Sequence, residues 1–129
     1  MSKTSHPLRA VLLGGALLLP VLAHADADRG ADVFDEACGE CHSVSPSLKN
    51  KKGPSLYGIV GRAAGQVQGF SYSDALLASG IHWTPDKIDA YINAPKTVIP
   101  GGKMKFDGMP KASERADVID FLTQAGKGK

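Results

Sequence analysis

The stretch Cys38-Gly39-Glu40-Cys41-His42 decides how this chain folds, because it places two thiols and an imidazole side by side. Two cysteines separated by two residues and followed directly by histidine form the pattern that attaches a c-type haem. At the end of a helix, such thiols reach the two vinyl groups on one porphyrin edge, and the next residue can then bind the iron. The stretch therefore predicts a covalently held redox cofactor.

Three other kinds of site could contain these residues. A thiol-disulfide exchange pair usually lies at a strand-to-helix junction, and no strand-like run precedes Cys38. A structural zinc site needs four ligands, whereas the chain has only two cysteines, so that His42 and the distant His82 would have to complete the set. A disulfide between Cys38 and Cys41 would close a very small loop and add little stability. Haem attachment alone explains why histidine follows the second cysteine directly.

The first 25 residues have the pattern of a secretory signal peptide. Lys3 and Arg9 give a basic start, residues 10–22 form an apolar run interrupted by glycine and proline, and Ala23-His24-Ala25 is an A-x-A cleavage signature. The run is too short to span a membrane comfortably, and a retained N-terminal anchor is the alternative. We expect residues 1–25 to be a cleaved signal peptide, with no stable membrane insertion afterwards, and residues 26–129 to form one domain.

The charge of the mature chain differs from that of the precursor. The precursor has 15 basic and 13 acidic residues, and removal of Lys3 and Arg9 leaves 13 of each. Two haem propionates would make the mature protein slightly negative. This balance argues against a nucleic-acid-binding protein.

The spacing of apolar residues predicts an all-α chain with long loops. A helix starting near Asp28 carries an apolar stripe toward the cysteines. Three later helices are predicted to begin after the capping side chains Ser73, Thr84 and Ser113. They are predicted to end at Gly80, Pro95 and Gly126, respectively. The long connections between the helices suggest that these loops pack against a cofactor, which would form the centre of the core.

Several further stretches match one known family, nearly without gaps from about Gly30 to Leu122. These stretches are Gly53-Pro54-Ser55-Leu56-Tyr57-Gly58, Gly61-Arg62, Gly65-Gln66, Gly69-Phe70-Ser71-Tyr72-Ser73-Asp74-Ala75, Trp83 and Pro100-Gly101-Gly102-Lys103-Met104. With the haem motif, they make the chain resemble the class I cytochromes c, especially bacterial periplasmic proteins close to mitochondrial cytochrome c. The resemblance implies a monomeric, periplasmic protein whose N- and C-terminal helices pack together while long loops wrap one haem c, bound through Cys38 and Cys41.

The resemblance also implies the ligands of the iron. His42 would be the proximal ligand, with its other ring nitrogen donating to the carbonyl of Pro54. Met104 would be the second axial ligand, and its thioether would favour ferrous iron and raise the reduction potential. Met109 lies close enough in sequence to compete for this role. His82 matches no ligand position in the family.

Four more side chains match residues that surround the haem in the family. Arg62, Tyr72 and Trp83 would hydrogen-bond or screen the buried propionates, which would be costly to bury alone. Tyr91 would donate its hydroxyl near the ligating sulfur. The alternative for each aromatic residue is ordinary core packing.

An iron with both axial positions filled favours electron transfer over catalysis. The resemblance therefore implies a non-enzymatic, soluble single-electron carrier of a respiratory or photosynthetic chain. The donor would be a quinol-oxidising cytochrome complex, and the acceptor a terminal oxidase, a reaction centre or another periplasmic protein. The alternative is a haem enzyme or sensor, peroxidase-like or binding carbon monoxide, in which Met104 is displaced.

Charge is distributed unevenly along the mature chain. Six acidic residues lie between Asp26 and Glu40, with Arg29 as their only basic neighbour. Seven lysines lie in segments that the family folds around the exposed haem edge: Lys49, Lys51, Lys52, Lys96, Lys103, Lys105 and Lys111. The resulting dipole would steer this edge toward acidic redox complexes, and salt would weaken the steering. Ordinary solvated surface lysines are the alternative.

Overall fold

The computed structural model describes residues 25–127 and, before them, residues 2, 3, 5, 7 and 10–19. Its helices are α1 Ala27–Ala37, α2 Asp74–Ala78, α3 Pro85–Asn93, α4 Pro95–Val98 and α5 Ala112–Ala125. Within these residues the sole β pairing is an isolated antiparallel bridge between Ala63 and His82. The prediction of an all-α fold with long loops is confirmed.

Helices α1 and α5 pack directly against each other at a glycine. A Cβ atom at Gly30 would lie 2.0 Å from the backbone oxygen of Asp117 and 2.8 Å from the Cβ of Phe121. Beside this contact, the rings of Phe34 and Phe121 lie with their centroids 5.5 Å apart. The absence of a side chain at Gly30 therefore lets the two helix backbones approach closely, as predicted for the terminal helices.

Two of the three predicted helix caps are present. The Ser73 hydroxyl accepts a hydrogen bond from the Leu76 amide at 3.1 Å, and the Thr84 hydroxyl accepts one from the Lys87 amide at 3.4 Å. The prediction for Ser113 is wrong, because α5 begins at Ala112, two residues earlier than a Ser113 cap requires, and Lys111 takes the cap position without a side-chain bond. Its other boundary is as expected, with Gly126 at the C-cap.

The prediction that Pro95 ends a helix is correct in part. Helix α3 ends at Asn93, but Pro95 then begins the short helix α4. Proline lacks an amide proton and has a fixed φ, and both properties suit the first position of a helix. The helix after Ser73 likewise ends at Ala78, with Ser79 as its C-cap, before Gly80 takes a φ of +65°.

The part of the predicted signal peptide that the structure describes is exposed. The large apolar side chains between Val11 and Leu19 are 80–96% accessible. Among the described residues, no helix has the length and apolar character needed to cross a membrane. Residues 23 and 24 of the cleavage signature lie outside the described residues, and the third, Ala25, is exposed.

The buried core draws on α1, α3, α5 and the loops between them. Its members are Phe34, Ile59, Trp83, Ile88, Ile99, Met109, Val118 and Leu122. All of these except Phe34 and Ile99 also line one cavity. The protein core is therefore built around an internal space.

Candidate functional site

The central cavity has a volume of about 510 Å³, which lies within the range of cofactor pockets. Apolar side chains dominate its wall: Leu56, Ile59, Val67, Phe70, Leu76, Trp83, Ile88, Tyr91, Ile92, Phe106, Met109, Val118 and Leu122. The cavity is also lined by Cys38, Cys41, His42 and Met104. An apolar space with two thiols and an imidazole on its wall fits a flat hydrophobic macrocycle bound by covalent bonds.

The end of α1 delivers the two thiols and the imidazole. Cys38 is the C-cap of α1, and its amide donates to the Phe34 carbonyl at 2.8 Å. The amides of Cys41 and His42 both donate to the Cys38 carbonyl, at 3.0 and 2.9 Å. The helix that carries the expected apolar stripe therefore ends at Ala37. A tight turn follows it and places Cys41 and His42 at the cavity.

The His42 ring is held in one orientation. Its Nδ1 donates to the Pro54 carbonyl oxygen at 2.8 Å, as predicted, so Nε2 is left without a proton. The ring packs so closely on Gly53 that a Cβ there would lie 2.3–2.9 Å from three ring atoms. Burial lowers the pKa of His42. The neutral imidazole that results is the form that binds a metal ion.

The surroundings of the cysteines argue against the alternative sites. Burial, reinforced by the nearby Cys41, raises the pKa of Cys38 to about 11. Thiol-disulfide exchange needs a reactive thiolate, which such an environment suppresses. Within the described part of the chain, no three histidine, cysteine or acidic side chains are grouped as metal ligands. His82 is exposed and pairs through its backbone with Ala63.

Both candidate methionines line the cavity, but their environments differ. Met104 is half-buried, in a loop without helical structure. Met109 is only 5% exposed, and its amide donates to the Ile92 carbonyl at 2.8 Å. Its carbonyl accepts from the Arg115 guanidinium at 2.9 Å, and the same guanidinium donates to Asp89 at 2.7 Å. Met109 is therefore fixed as part of the core.

The four residues predicted around the cofactor, Arg62, Tyr72, Trp83 and Tyr91, all line the cavity. The Tyr72 hydroxyl oxygen accepts from the Val67 amide at 3.0 Å, which leaves its proton for another acceptor. Burial raises the pKa of Tyr72 and of Tyr91, so both hydroxyls keep their protons. The rings of Trp83 and Tyr91 pack in a tilted arrangement, with centroids 5.0 Å apart and an interplanar angle of 44°. Together these four residues add hydrogen-bond donors and one cation to the wall of the cavity.

The seven predicted surface lysines are all exposed, but their positions differ. Lys52, Lys103 and Lys105 line the cavity. Lys96 pairs with Asp107 at 2.9 Å, and Lys111 pairs with Glu114 at 2.8 Å. Lys51 donates to the Gly39 carbonyl, and Lys52 pairs with Glu40. Of the three lysines that line the cavity, Lys52 is therefore paired with a carboxylate, whereas the ion pairs of the described residues leave out Lys103 and Lys105. Arg62 and Glu36 line the same cavity.

Some residues that shape the site were not singled out by their sequence pattern. The Asn50 side chain accepts from the Ser55 amide and donates to the Gln68 carbonyl, both at 2.9 Å. It thereby ties together two loops beside the cavity. The contact between Gly53 and His42 also depends on the fold, because the two residues are eleven positions apart along the chain. Gly53 begins a stretch that matches the family, but that match does not reveal the contact, and no local signal marks the role of Asn50.

The fold and the cavity together define a small all-α protein that holds a covalent haem. The sequence profile of the cytochrome c family matches residues 27–126. A cytochrome c of Stellaria longipes is 45% identical over 102 residues, covering 79% of this chain and 94% of the relative. A cytochrome c2 of Rhodomicrobium vannielii is 42% identical over 123 residues, covering 93% of this chain and 98% of the relative.

This chain therefore belongs to the cytochrome c family, and the resemblance to class I cytochromes c is confirmed. Members of the family bind haem c through a cysteine pair, which in this chain is Cys38 and Cys41. They are electron-transfer proteins that carry a c-type haem.

Proposed function

We propose that this protein is a soluble periplasmic single-electron carrier in which His42 and Met104 bind the haem iron. The observation that carries the proposal is the cavity, because one apolar space is lined by both thiols, the His42 ring and the Met104 side chain. The haem, when bound, supplies a one-electron ferric/ferrous couple. The protein supplies the attachment, the ligands and a dry environment.

Each polar residue of the cavity has a defined task in this proposal. The bond to Pro54 would hold the His42 ring in the orientation needed to bind the iron through Nε2. The Met104 thioether would be the second ligand and would favour ferrous iron. Arg62, Tyr72 and Trp83 would offset the charge of the haem carboxylates, and the Tyr91 hydroxyl would be a donor for the thioether. An iron held by two side chains would transfer electrons rather than transform a substrate.

Replacement of the proposed ligand tests this assignment. The oxidised wild-type protein should show the weak far-red absorption band of ferric iron bound to a thioether, and the reduced protein should bind carbon monoxide poorly. Met104→Ala should remove the band and make carbon monoxide binding rapid. The control Met109→Leu keeps the volume of a core residue and should retain the wild-type spectrum. Rapid carbon monoxide binding by the wild type would instead support a haem enzyme or sensor.

The proposed partners are a quinol-oxidising cytochrome complex as donor and a terminal oxidase, reaction centre or other periplasmic protein as acceptor. The lysines at the cavity support docking of acidic surfaces there. We expect Lys105→Glu to slow electron transfer from the solubilised quinol-oxidising complex about tenfold at low salt. Lys111→Glu is the control, because Glu114 already neutralises Lys111. Equal rates for the two variants, or rates independent of salt, would contradict this docking surface.

Periplasmic location is supported by the start of the family match at residue 27, just past the expected cleavage point. Cell fractionation with intact-mass measurement tests it. The proposal requires a coloured monomer in the periplasm that lacks residues 1–25. A membrane-bound protein with the apolar segment retained would support the anchor instead.

A further inference from the structure

The start of α1 contacts a buried carboxylate on α5. The backbone nitrogen of Asp26 donates to Oδ1 of Asp117 at 2.8 Å. Asp117 is only 6% exposed. Its second oxygen accepts from Arg29 Nε at 3.3 Å, but the Arg29 side chain is 64% exposed. The buried Asp117 carboxylate therefore has two partners, the solvent-exposed Arg29 guanidinium and the neutral Asp26 amide.

Asp26, whose amide makes this hydrogen bond, is also the first residue after the expected cleavage point. Cleavage after Ala25 converts the amide nitrogen of Asp26 into an α-ammonium group. We propose that this new ammonium group binds the buried Asp117 carboxylate, so that removal of the signal peptide strengthens the docking of α1 on α5. The inference rests on the signal peptide proposed above.

The energetic reason is the charge that cleavage creates. An ammonium–carboxylate hydrogen bond is roughly twice as strong as one from a neutral amide. Since Asp117 is buried, water and salt screen this pair less than they screen a surface pair. A positive charge at a helix N-terminus is unfavourable in the helix dipole, and a charged carboxylate at hydrogen-bond distance offsets that cost. The Asp26 side chain remains free to cap α1, where it accepts from the amides of Asp28 and Arg29.

The geometry also selects one cleavage point over a neighbouring one. Ala25-Asp26-Ala27 fits the A-x-A signature as well as Ala23-His24-Ala25 does. Cleavage after Ala27 would remove the Asp26 cap and the contact with Asp117, and it would start the mature chain inside α1. Cleavage after Ala25 preserves both interactions.

The first test uses the wild-type holoprotein. Intact mass should show that the mature chain begins at Asp26, and any other N-terminus would overturn the inference together with the proposed cleavage point. NMR titration of the α-amine should show a pKa at least one unit above the usual 7.7–8.0. The charged groups around this amine are Asp117 of α5 and Asp26, Asp28 and Arg29 of α1. If the chain begins at Asp26 but its α-amine has an ordinary pKa, the pairing of this amine with Asp117 is overturned, whereas the proposed cleavage point is not.

The second test moves the charge by one residue. A glycine inserted between Ala25 and Asp26 leaves a neutral amide at Asp26 and places the amine one residue farther away. We expect this insertion to lower the Tm of the holoprotein by about 5 °C, as loss of one partly buried charge pair does in a domain of this size. In an Asp117→Asn background the same insertion should have no effect. Equal shifts in the two backgrounds, or no shift in either, would overturn the proposal.

Discussion

The Tyr72 hydroxyl oxygen accepts a hydrogen bond from a backbone amide on the wall of the cavity. Its loss in Tyr72→Phe would leave the amide of the buried Val67 without its partner. We expect a loss of about 1–2 kcal/mol in the free energy of unfolding of the holoprotein, measured with guanidinium chloride. Tyr57→Phe is the control, because the half-buried Tyr57 ring does not line the cavity. Equal losses in the two variants would contradict this role of Tyr72.

The role of a residue could be predicted where its type and its near neighbours in the sequence define that role. The role of a residue that acts through tertiary contacts could not. Residue type and spacing singled out Cys38, Cys41 and His42, and the family resemblance singled out Met104; all four line the cavity. The close contact between Gly53 and the His42 ring exists only after the loop has folded back. Any small residue at position 53 would give the same local pattern, so the pattern alone does not reveal the contact.

At the scale of elements, the crossing of α1 and α5 depends on Gly30. In Gly30→Ala, the new methyl group would overlap the Asp117 backbone oxygen, so the helices would have to separate. We expect a loss of about 3 kcal/mol in the free energy of unfolding, at the upper end for overpacked cores. Asp32→Ala, on an exposed position of the same helix, should cost less than about 0.5 kcal/mol. Thermal unfolding of the two holoproteins measures this difference, and similar stabilities would contradict the close approach.

Helix boundaries show why some elements were easier to predict than others. Ser73 and Thr84 cap helices through bonds to amides only three residues away, so the local sequence contains the whole signal. Ser113 has the same chemistry, yet α5 starts before it. The chain just before α5 is held by the Met109 amide, which donates to the Ile92 carbonyl 17 positions away. Such a tertiary contact is absent from the local pattern around Ser113.

At the scale of the whole molecule, the cavity makes the cofactor part of the core. Without a hydrophobic occupant the apolar wall of this 510 Å³ space would be left in contact with water. A small domain has a net stability of only about 5–15 kcal/mol to set against that loss. We therefore expect the double variant Cys38→Ser, Cys41→Ser to lose its haem and its cooperative thermal transition, measured by circular dichroism.

The single variant Cys38→Ser is the control for this prediction. It keeps Cys41 as one point of attachment and should remain coloured and folded. A cooperative unfolding transition in the colourless double variant would show that the protein part of the core is sufficient alone.

The pairing of the first helix with the last also governs when the chain can fold. The hydrogen bond between Asp26 and Asp117 spans 91 positions, and closing a loop of that length costs about 4 kcal/mol of chain entropy. During synthesis Phe34 emerges early, but Phe121 emerges among the last residues. The growing polypeptide must therefore stay open until the ribosome has nearly finished. Until these two helices meet, the cavity lacks the part of its wall that Val118 and Leu122 of α5 provide.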